Sequence, residues 1–478
     1  MSRVAWGLSL AFATTAYGGH GVRAVVERPA SSLTPLVRIS GESPFIYLNR
    51  CSGGCLVTGG QSDDARDLIS DIPPSGQFLV HEFTDENGNT GSAADADWAA
   101  LRLCMQEVYS PFAVTITDQE PQNTSFTEVL VAGMPTDVQQ PADYLGVATI
   151  SANCSPVDNE LAFAFANSHP GSGQDRIYQI CWTAAQESAH AFGLDHEYQF
   201  TDGESACRDP MTYRDDCLGE KFFRNMEADC GTFAEAPCRC SSTQDSAALL
   251  YGVFGAGTPI TAPPVVAITS PSDGATTLPD VVHATASAQR GVAKLGLFIN
   301  GSRYAYLFSM VPYGAEGQPA SDYALNVPAS VPKGNLSISI SASDDLGTTT
   351  MSDPVGVANG PPCMQATDCL ANQTCGSGGA CVYPAPTQAL GSACSYDQQC
   401  TTWECGSFST GNACTTDCEV DSESSCPAAF TCIANGSGGL CAIETGGCCD
   451  AGGSPIGSGA IAALVLGLVL RRRLSWRR

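Results

Sequence analysis

The pattern of apolar and polar positions changes its period several times along the chain, and the first 258 residues interleave strands with helices. Short β-branched or alternating runs predict strands over 77–84, 112–117, 128–132 and 160–166, and the alternation in the last run is typical of a half-buried strand. Helices are predicted over 94–109, 175–192 and 244–253. This order predicts an α/β or α+β domain that spans residues 77–258.

Beyond residue 258 the helical period disappears. Proline-rich residues 259–264 predict a linker, and the strand-like runs that follow are separated by turn residues. These runs lie at 265–270, 281–288, 294–299, 323–327 and 336–342. Residues 265–358 therefore predict an all-β sandwich, and the segment resembles the immunoglobulin-like modules of bacterial surface proteins, which act as spacers or binding modules.

Cysteine spacing sets residues 359–445 apart from the rest of the chain. Twelve cysteines lie between Cys363 and Cys441, with few large apolar side chains among them, so disulfides must order the segment. It resembles the EGF-like or dickkopf-like regions of extracellular proteins, and the near-regular spacing of six residues hints at two tandem copies. Metal binding by these cysteines is the weaker alternative, because no Cys-x-x-Cys pair occurs.

Charge and cysteine content restrict the partners and the compartment. The chain carries 22 Lys and Arg against 49 Asp and Glu, a net charge of −27, which repels nucleic acid and anionic lipid headgroups. Nucleic-acid binding is therefore excluded as a function class. Twenty-four cysteines favour disulfides and a location outside the cytoplasm.

Both ends of the sequence indicate export. Residues 1–20 have the charged, apolar and small-residue order of a signal peptide. Residues 446–478 combine Cys448 and Cys449, an apolar run over 456–470 and a cluster of arginines, and they resemble the C-terminal sorting tags of myxobacterial surface proteins. The resemblance implies a protein that is secreted and then anchored at the cell surface or outer membrane. A stop-transfer helix is the alternative.

Residues 21–76 are proline-rich and predict an N-terminal segment that is a candidate pro-region. Within it, the close pair Cys51 and Cys55 predicts a local disulfide or two bridges to cysteines elsewhere. The alternative is that one of these thiolates caps a metal until the segment is removed.

One stretch carries the candidate chemistry. On the predicted second helix, Gln186 and His190 are one turn apart and share a face, so their side chains can converge on one ion. Gly193 can end the helix and turn the chain so that His196 approaches the same point from outside the helix. Met211 follows fifteen residues after His196.

This spacing resembles the metzincin clan of zinc peptidases over residues 77–258, with glutamine in place of the first ligand histidine. Leu194 and Asp195 before the last ligand are similar to the matrixins, whereas Glu197 after it is similar to the astacins. The resemblance implies a Zn²⁺ site in a zincin-like domain, with Gln186, His190 and His196 as ligands.

The same resemblance assigns the remaining roles and the activity. It implies Glu187 as the general base, Tyr213 as a donor to the oxyanion and Met211 as the methionine turn below the metal. The expected activity is endo-hydrolysis of peptide bonds in a protein or peptide substrate, with extracellular-matrix or prey-cell proteins as candidates.

Gln186 also supports an alternative. An amide oxygen is a poorer zinc donor than imidazole, so an inactive metzincin-fold surface protein that functions in adhesion or matrix binding would carry the same motif. His169, in the loop before the helix, is a candidate replacement ligand.

Overall fold

A computed structural model describes residues 22–28, 45–201, 203, 205–214, 217, 219–311, 313, 322–418, 426, 430–435 and 438–443. The predicted signal peptide (1–20) and the predicted sorting tag (446–478) lie outside these residues.

Within the described residues up to 258, strands and helices alternate. The helices are α1 (Asp95–Tyr109), α2 (Gly173–His190) and α3 (Ser246–Phe254). The strands are β1 (Val22–Arg28), β2 (Phe45–Asn49), β3 (Cys55–Gly59), β4 (Ile69–Ser70), β5 (Gly76–Val80), β6 (Thr115–Thr117), β7 (Thr127–Val131), β8 (Tyr144–Ser151), β9 (Leu161–Ala164), β10 (Glu197–Phe200), β11 (Glu227–Cys230) and β12 (Gln244–Asp245). Both ends of each predicted helix lie within two residues of the ends of an observed helix.

The main sheet has the strand order β1-β8-β9-β7-β2-β6. Its neighbouring strands are parallel except for β8 and β9, which are antiparallel. Helices α1 and α2 share a hydrophobic core with one face of the sheet. The other face packs on the small sheet β4-β3-β5. A second small sheet, β10-β11-β12, lies in the part of the chain after α2.

Because both faces of the main sheet are covered, its central strands are buried on both sides. All four residues of β9 are buried, with Ala162 in the helix-side core and Phe163 in the core on the opposite face. The prediction of a half-buried strand at 160–166 was therefore wrong.

The predicted domain boundary at residue 77 was also wrong. Strand β2 lies between β7 and β6 in the main sheet, and its Ile46 and Leu48 belong to the core that α1 and α2 cover. Residues from 45 onward are therefore part of this domain and not a separate pro-region. Cys51 and Cys55 form a disulfide, so in this state neither sulfur is a thiolate that could cap a metal.

The next segment is a β-sandwich, as predicted. Strands β13 (Val265–Ser270), β14 (Val281–Ser287) and β17 (Asp322–Asn326) form one sheet. The other sheet contains β15 (Lys294–Ile299), β16 (Ser302–Phe308), β18 (Gly334–Ser343), β19 (Thr349–Met351) and β20 (Val355–Asn359). Alternating side chains from both sheets, such as Val282 and Leu297, form one shared core.

The cysteine-rich segment contains three copies of one disulfide pattern, rather than the two that the spacing suggested. In each copy the first cysteine bonds the third and the second bonds the fourth, starting at Cys363, Cys394 and Cys418. The first copy belongs to the compact unit that ends at Ala385, and the other two belong to the unit that follows. Their short strands are β21 (Thr374–Cys375), β22 (Cys381–Val382), β23 (Cys405–Phe408), β24 (Gly411–Cys414), β25 (Asp417–Cys418), β26 (Phe430–Asn435) and β27 (Gly438–Ile443).

Candidate metal centre

Helix α2 carries three of the predicted site residues and is fixed to α1 at two points. A disulfide between Cys104 and Cys181 joins it to α1. Tyr109, the last residue of α1, donates its hydroxyl to the carbonyl of Ala185 (3.0 Å) and lies 2.7 Å from the hydroxyl of Ser188. The α2 turns that bear the site are therefore held against a buried neighbour.

Gln186, Glu187 and His190 are all completely buried on this helix. Neither polar atom of the Gln186 side chain has a hydrogen-bond partner among the described residues. A buried amide without a partner costs about 1–3 kcal/mol, and metal ligation is one way to offset that cost.

Gly193 turns the chain after α2, as the sequence predicted. Its φ of +91° lies in the region that favours glycine, and a Cβ at this position would overlap the carbonyl oxygen of Cys154. The amide of Leu194 donates to the carbonyl of Ala189 (3.3 Å), which closes the last turn of the helix. The chain then runs back toward His190.

His196 meets His190 at the end of this turn. The Nε2 atoms of the two imidazoles are 3.2 Å apart, and the rings meet edge to face with centroids 4.7 Å apart. Nδ1 of His190 lies 2.7 Å from the carbonyl oxygen of Leu194, which can only accept, so Nδ1 carries the proton. Burial lowers the pKa of His190 to about 4, so its Nε2 offers a lone pair at neutral pH.

Gln244 fixes the loop on both sides of His196. Its Oε1 accepts from the amide of Asp195 (2.6 Å), and its Nε2 donates to the carbonyl of Asp195 (2.9 Å) and to Glu197 Oε1 (3.1 Å). The carbonyl of His196 itself accepts from the amide of Gly231 (3.0 Å). Backbone motion at this position would break several of these bonds.

Met211 lies in a buried turn that also supports His196. The Met211 side chain is fully buried in the core that contains α2, and its carbonyl accepts from the amide of Glu197 (3.0 Å). Its own amide donates to Asp209 Oδ1 (2.8 Å). Tyr213, two residues later, packs its ring against His196 with centroids 4.6 Å apart.

Two buried carboxyl groups lie beside the site. Burial, together with the nearby charge of Asp209, raises the pKa of Glu197 well above its usual range, which favours the neutral acid that Gln244 bonds. Burial also raises the pKa of Asp209, but there the Ser246 hydroxyl, the amides of Met211 and Arg224 and the Arg224 charge oppose the rise.

Glu187 lies against the strand β8 through a glycine. A Cβ on Gly146 would stand 2.5 Å from Glu187 Oε1 and 2.6 Å from Thr183 Cγ2. Only glycine leaves room for this carboxylate beside the strand. Strand β8 was not predicted from the sequence, because its eight residues are all at least partly buried and show no alternation.

His169 does not join the site. Its Nδ1 lies 3.0 Å from the carbonyl of Phe165 and its Nε2 lies 2.8 Å from the hydroxyl of Thr183, so both ring nitrogens already have partners. The suggestion of His169 as a replacement ligand was wrong.

The residues present fit a zinc ion. Two nitrogens bound to tetrahedral zinc at about 2.0–2.1 Å are about 3.3 Å apart, close to the 3.2 Å between the histidine Nε2 atoms. Gln186, one helical turn before His190, adds a buried oxygen donor without a partner. These three residues could hold the ion, and Glu187 is next to them in the chain.

Three residues that support the site could not be assigned to it from the sequence. Gly146, Asp209 and Gln244 lie 41, 22 and 57 residues from Glu187 in the chain, and nothing in the pattern of apolar positions connects them to the motif. Only the Asp-Pro dipeptide before Met211 marks a turn.

The cysteine-rich copies are a different kind of candidate. In each copy three sulfur atoms lie within 4.8 Å of one another, a spacing that could hold a metal. Every cysteine among the described residues is in a disulfide, however, and a disulfide sulfur has no thiolate to bind zinc. Such a site would require reduction first.

Comparisons with known proteins identify one module. The profile of the Bacterial Ig domain family matches residues 264–340, from the residue before β13 into β18 of the β-sandwich. No curated protein matches the chain. Together with the disulfides, the match indicates an extracellular or surface protein.

Two solved structures are similar to parts of the chain. The fibronectin(III)-like modules of CbhA from Clostridium thermocellum are 17% identical, cover 20% of this chain and 98% of their own, and give a TM-score of 0.15. OgpA from Akkermansia muciniphila is 12% identical, with coverage of 66% and 94% and a TM-score of 0.17. At such TM-scores neither similarity indicates the fold of the whole chain or its function.

Among the described residues, no helix has both the length and the apolar character needed to cross a membrane.

Proposed function

We propose that residues 45–258 form a zincin-like domain of the metzincin type and that the protein is a secreted, surface-anchored zinc endopeptidase. The observation that carries the proposal is the meeting of the buried His190 and His196 Nε2 atoms at 3.2 Å, together with the buried, unpartnered amide of Gln186 one helical turn before His190. The turn at Gly193 and the packing of Tyr213 on His196 add support.

The roles of the residues follow from this arrangement. A zinc ion held by Gln186, His190 and His196 would polarise the substrate carbonyl and lower the pKa of a water to about 7. Glu187 would take the proton of the attacking water and later pass it to the leaving amine. Tyr213, against His196, would donate its hydroxyl to the developing oxyanion, a contact worth about 3 kcal/mol in such sites.

The substrate class follows from charge and compartment. The net charge of −27 disfavours nucleic acid, and an extracellular peptidase would act on proteins or peptides, with extracellular-matrix or prey-cell proteins as candidates. Residues 446–478 would attach the protein to the membrane surface after export.

The full chain, purified with its disulfides intact, provides the test. We expect about one zinc per chain and cleavage of a denatured protein that stops when a chelator is added and resumes with zinc. Glu187→Gln should retain zinc and lose cleavage, while Glu120→Gln, at an exposed position, should behave as wild type. Cleavage that survives Glu187→Gln would remove the proposed mechanism.

An inactive metzincin-like surface protein, used in adhesion or matrix binding, is the second candidate, and Gln186 favours it because an amide is a weak zinc donor. Gln186→His separates the two. Activity that appears only in this variant, with a large gain in zinc affinity, supports the inactive protein, whereas high activity of the wild type excludes it.

A further inference from the structure

Three buried charged side chains join the α/β domain to the immunoglobulin-like module. Arg224 belongs to the α/β domain, and Arg290 and Asp345 belong to the immunoglobulin-like module. The two arginines are each 1% exposed at the side chain and Asp345 is 8% exposed. We refer to these three residues as the Arg-Asp-Arg cluster.

Hydrogen bonds join all three members of the cluster. Asp345 accepts from Arg290 Nε and Nη2 at 2.7 and 2.8 Å, a bidentate pair, and from Arg224 Nη1 at 2.7 Å. Arg224 Nη1 also donates to the carbonyl of Arg290 (2.9 Å), and Arg290 Nη2 donates to the carbonyl of Phe223 (3.3 Å). The two modules therefore exchange hydrogen bonds in both directions.

Charge balance makes Asp345 the critical member. Two guanidinium groups share this one carboxylate, so its loss would leave two like charges buried together. Domains of one chain are usually joined by interfaces that resemble transient contacts and allow relative motion, whereas this cluster is buried and its hydrogen bonds hold the two modules in one arrangement. A second bridge lies nearby, where Gln289 of the sandwich donates to Glu220 (2.7 Å).

From the cluster, a series of hydrogen bonds leads to the candidate metal centre. The amide of Arg224 donates to Asp209 Oδ2 (2.8 Å), and the other oxygen of Asp209 accepts from the amide of Met211 (2.8 Å). The carbonyl of Met211 in turn accepts from the amide of Glu197 (3.0 Å), the residue after His196.

The residue before Arg224 provides a second route. The ring of Phe223 packs on Tyr109 with centroids 5.1 Å apart. Tyr109 is the residue whose hydroxyl holds the α2 backbone at Ala185. The segment Phe223–Arg224 therefore contacts the supports of both histidines.

We propose that the immunoglobulin-like module is a structural part of the metal centre, and that Asp345 is a positioning residue that holds the Met211 turn and His196 through Arg224 and Asp209. This inference rests on the proposed zinc site for its functional meaning, but the positioning itself can be measured without metal.

The experiment uses the full chain with Asp345→Asn. In the metal-free protein we expect faster hydrogen exchange of the amides of Met211, Arg224 and Glu197, by about tenfold or more. The zinc affinity, measured by competition with a chelator, should fall about 10- to 100-fold, which is the range for residues that orient metal ligands without binding the metal themselves. The absorption spectrum of bound Co²⁺ should change as well.

Leu325→Ala is the matched control, because it destabilises the same module from its core, where Leu325 is 2% exposed, and leaves the cluster intact. It should lower the melting temperature without changing the three exchange rates or the zinc affinity. If Asp345→Asn behaves like this control, the inference is overturned.

Two further outcomes are decisive. Should Asp345→Asn fail to fold, Arg290→Lys keeps the charge but loses the bidentate bond, and we expect the same changes at a smaller size; wild-type exchange and affinity in that variant would refute the inference. If the wild type binds no zinc, the proposed function fails, and the exchange rates alone still decide whether Asp345 holds the Met211 turn.

Discussion

The candidate metal centre has two halves that are built differently. The helix half consists of Gln186, Glu187 and His190, which lie on α2 and are held by one helix and its core. The loop half consists of His196, Met211 and Tyr213, which lie on irregular backbone. Hydrogen bonds from Gln244 and to Asp209 hold this half in place. The immunoglobulin-like module also contributes, because its Asp345 bonds Arg224, whose amide bonds Asp209.

The difference shows how each half can fail. In the helix half, the relative positions of the side chains follow from helix geometry, so a defect must act on a side chain or on the space around it. In the loop half, the positions depend on individual hydrogen bonds from distant residues, so the loss of one distant donor can move a ligand. A variant that displaces Glu187 should therefore act on catalysis, whereas one that releases the loop around His196 should act on metal affinity.

The largest expected effect comes from crowding the helix half. Gly146→Ala would place a Cβ 2.5 Å from Glu187 Oε1 and displace the proposed base. Because a positioned general base contributes about 10²–10⁴-fold, we expect kcat to fall by about 100-fold while the zinc content stays at the wild-type level. Steady-state kinetics with metal analysis measures both.

Gly252→Ala is the control, because nothing lies within 4 Å of the Cβ it would add in α3. Its activity should equal that of the wild type. A Gly146→Ala enzyme with normal kcat would show that Glu187 tolerates displacement and is not the base.

The second effect concerns the turn that joins the two halves. Gly193→Ala would combine a left-handed backbone, which costs about 1–2 kcal/mol, with an overlap on the carbonyl of Cys154. We expect a total loss of about 3 kcal/mol in the free energy of unfolding, measured by urea denaturation.

Gly173, the first residue of α2, is the matched control. Its φ is +54° but nothing lies within 4 Å of an added Cβ, so Gly173→Ala should cost only the backbone strain, about 1 kcal/mol. Equal losses in the two variants would mean that the contact with Cys154 contributes nothing.

A third variant tests the loop half directly. Gln244→Leu removes three hydrogen bonds on both sides of His196. We expect zinc affinity to fall about 10- to 100-fold, equivalent to about 1.4–2.7 kcal/mol, in a chelator competition assay. Gln140→Leu, which loses one bond to the carbonyl of Ile72 far from the site, should leave the affinity unchanged. Wild-type zinc affinity in Gln244→Leu would show that the position of His196 does not depend on the hydrogen bonds of Gln244.

The sequence predicted the helix half better than the loop half for the same physical reason. Spacing along a helix fixes which side chains converge, so Gln186 and His190 could be placed without a structure, and Gly193 could be assigned to the turn. The supports of His196 come from residues whose contacts are set by the tertiary fold, and Gln244 lies 48 residues away in the chain.

The fold divides in a similar way. Helices α1 and α2 and five of the eight sandwich strands have clear periods and were predicted, whereas β16, β19 and β20 were missed. Strand β8 is buried along almost its whole length, and β2 begins with four apolar residues in succession, so neither sequence alternates between apolar and polar positions. For that reason the domain boundary was placed too late. The three disulfide copies could not be counted from cysteine spacing, because spacing does not fix pairing.

Gln186→Leu should have the smallest effect. It compares the stability of the metal-free chain with the stability gained from zinc binding in the helix half. In the metal-free chain this change replaces a buried amide without a described partner by an apolar side chain of similar size, so we expect stability to rise by about 1 kcal/mol. Gln174→Leu, at an exposed position of the same helix, should change it by less than about 0.5 kcal/mol. Zinc should then reverse the order, because the wild type gains stability by binding and the variant has lost a ligand. Melting temperatures with and without zinc measure all four states, and a variant that is less stable than the wild type without metal would mean that Gln186 has a partner in the folded chain other than the proposed ion.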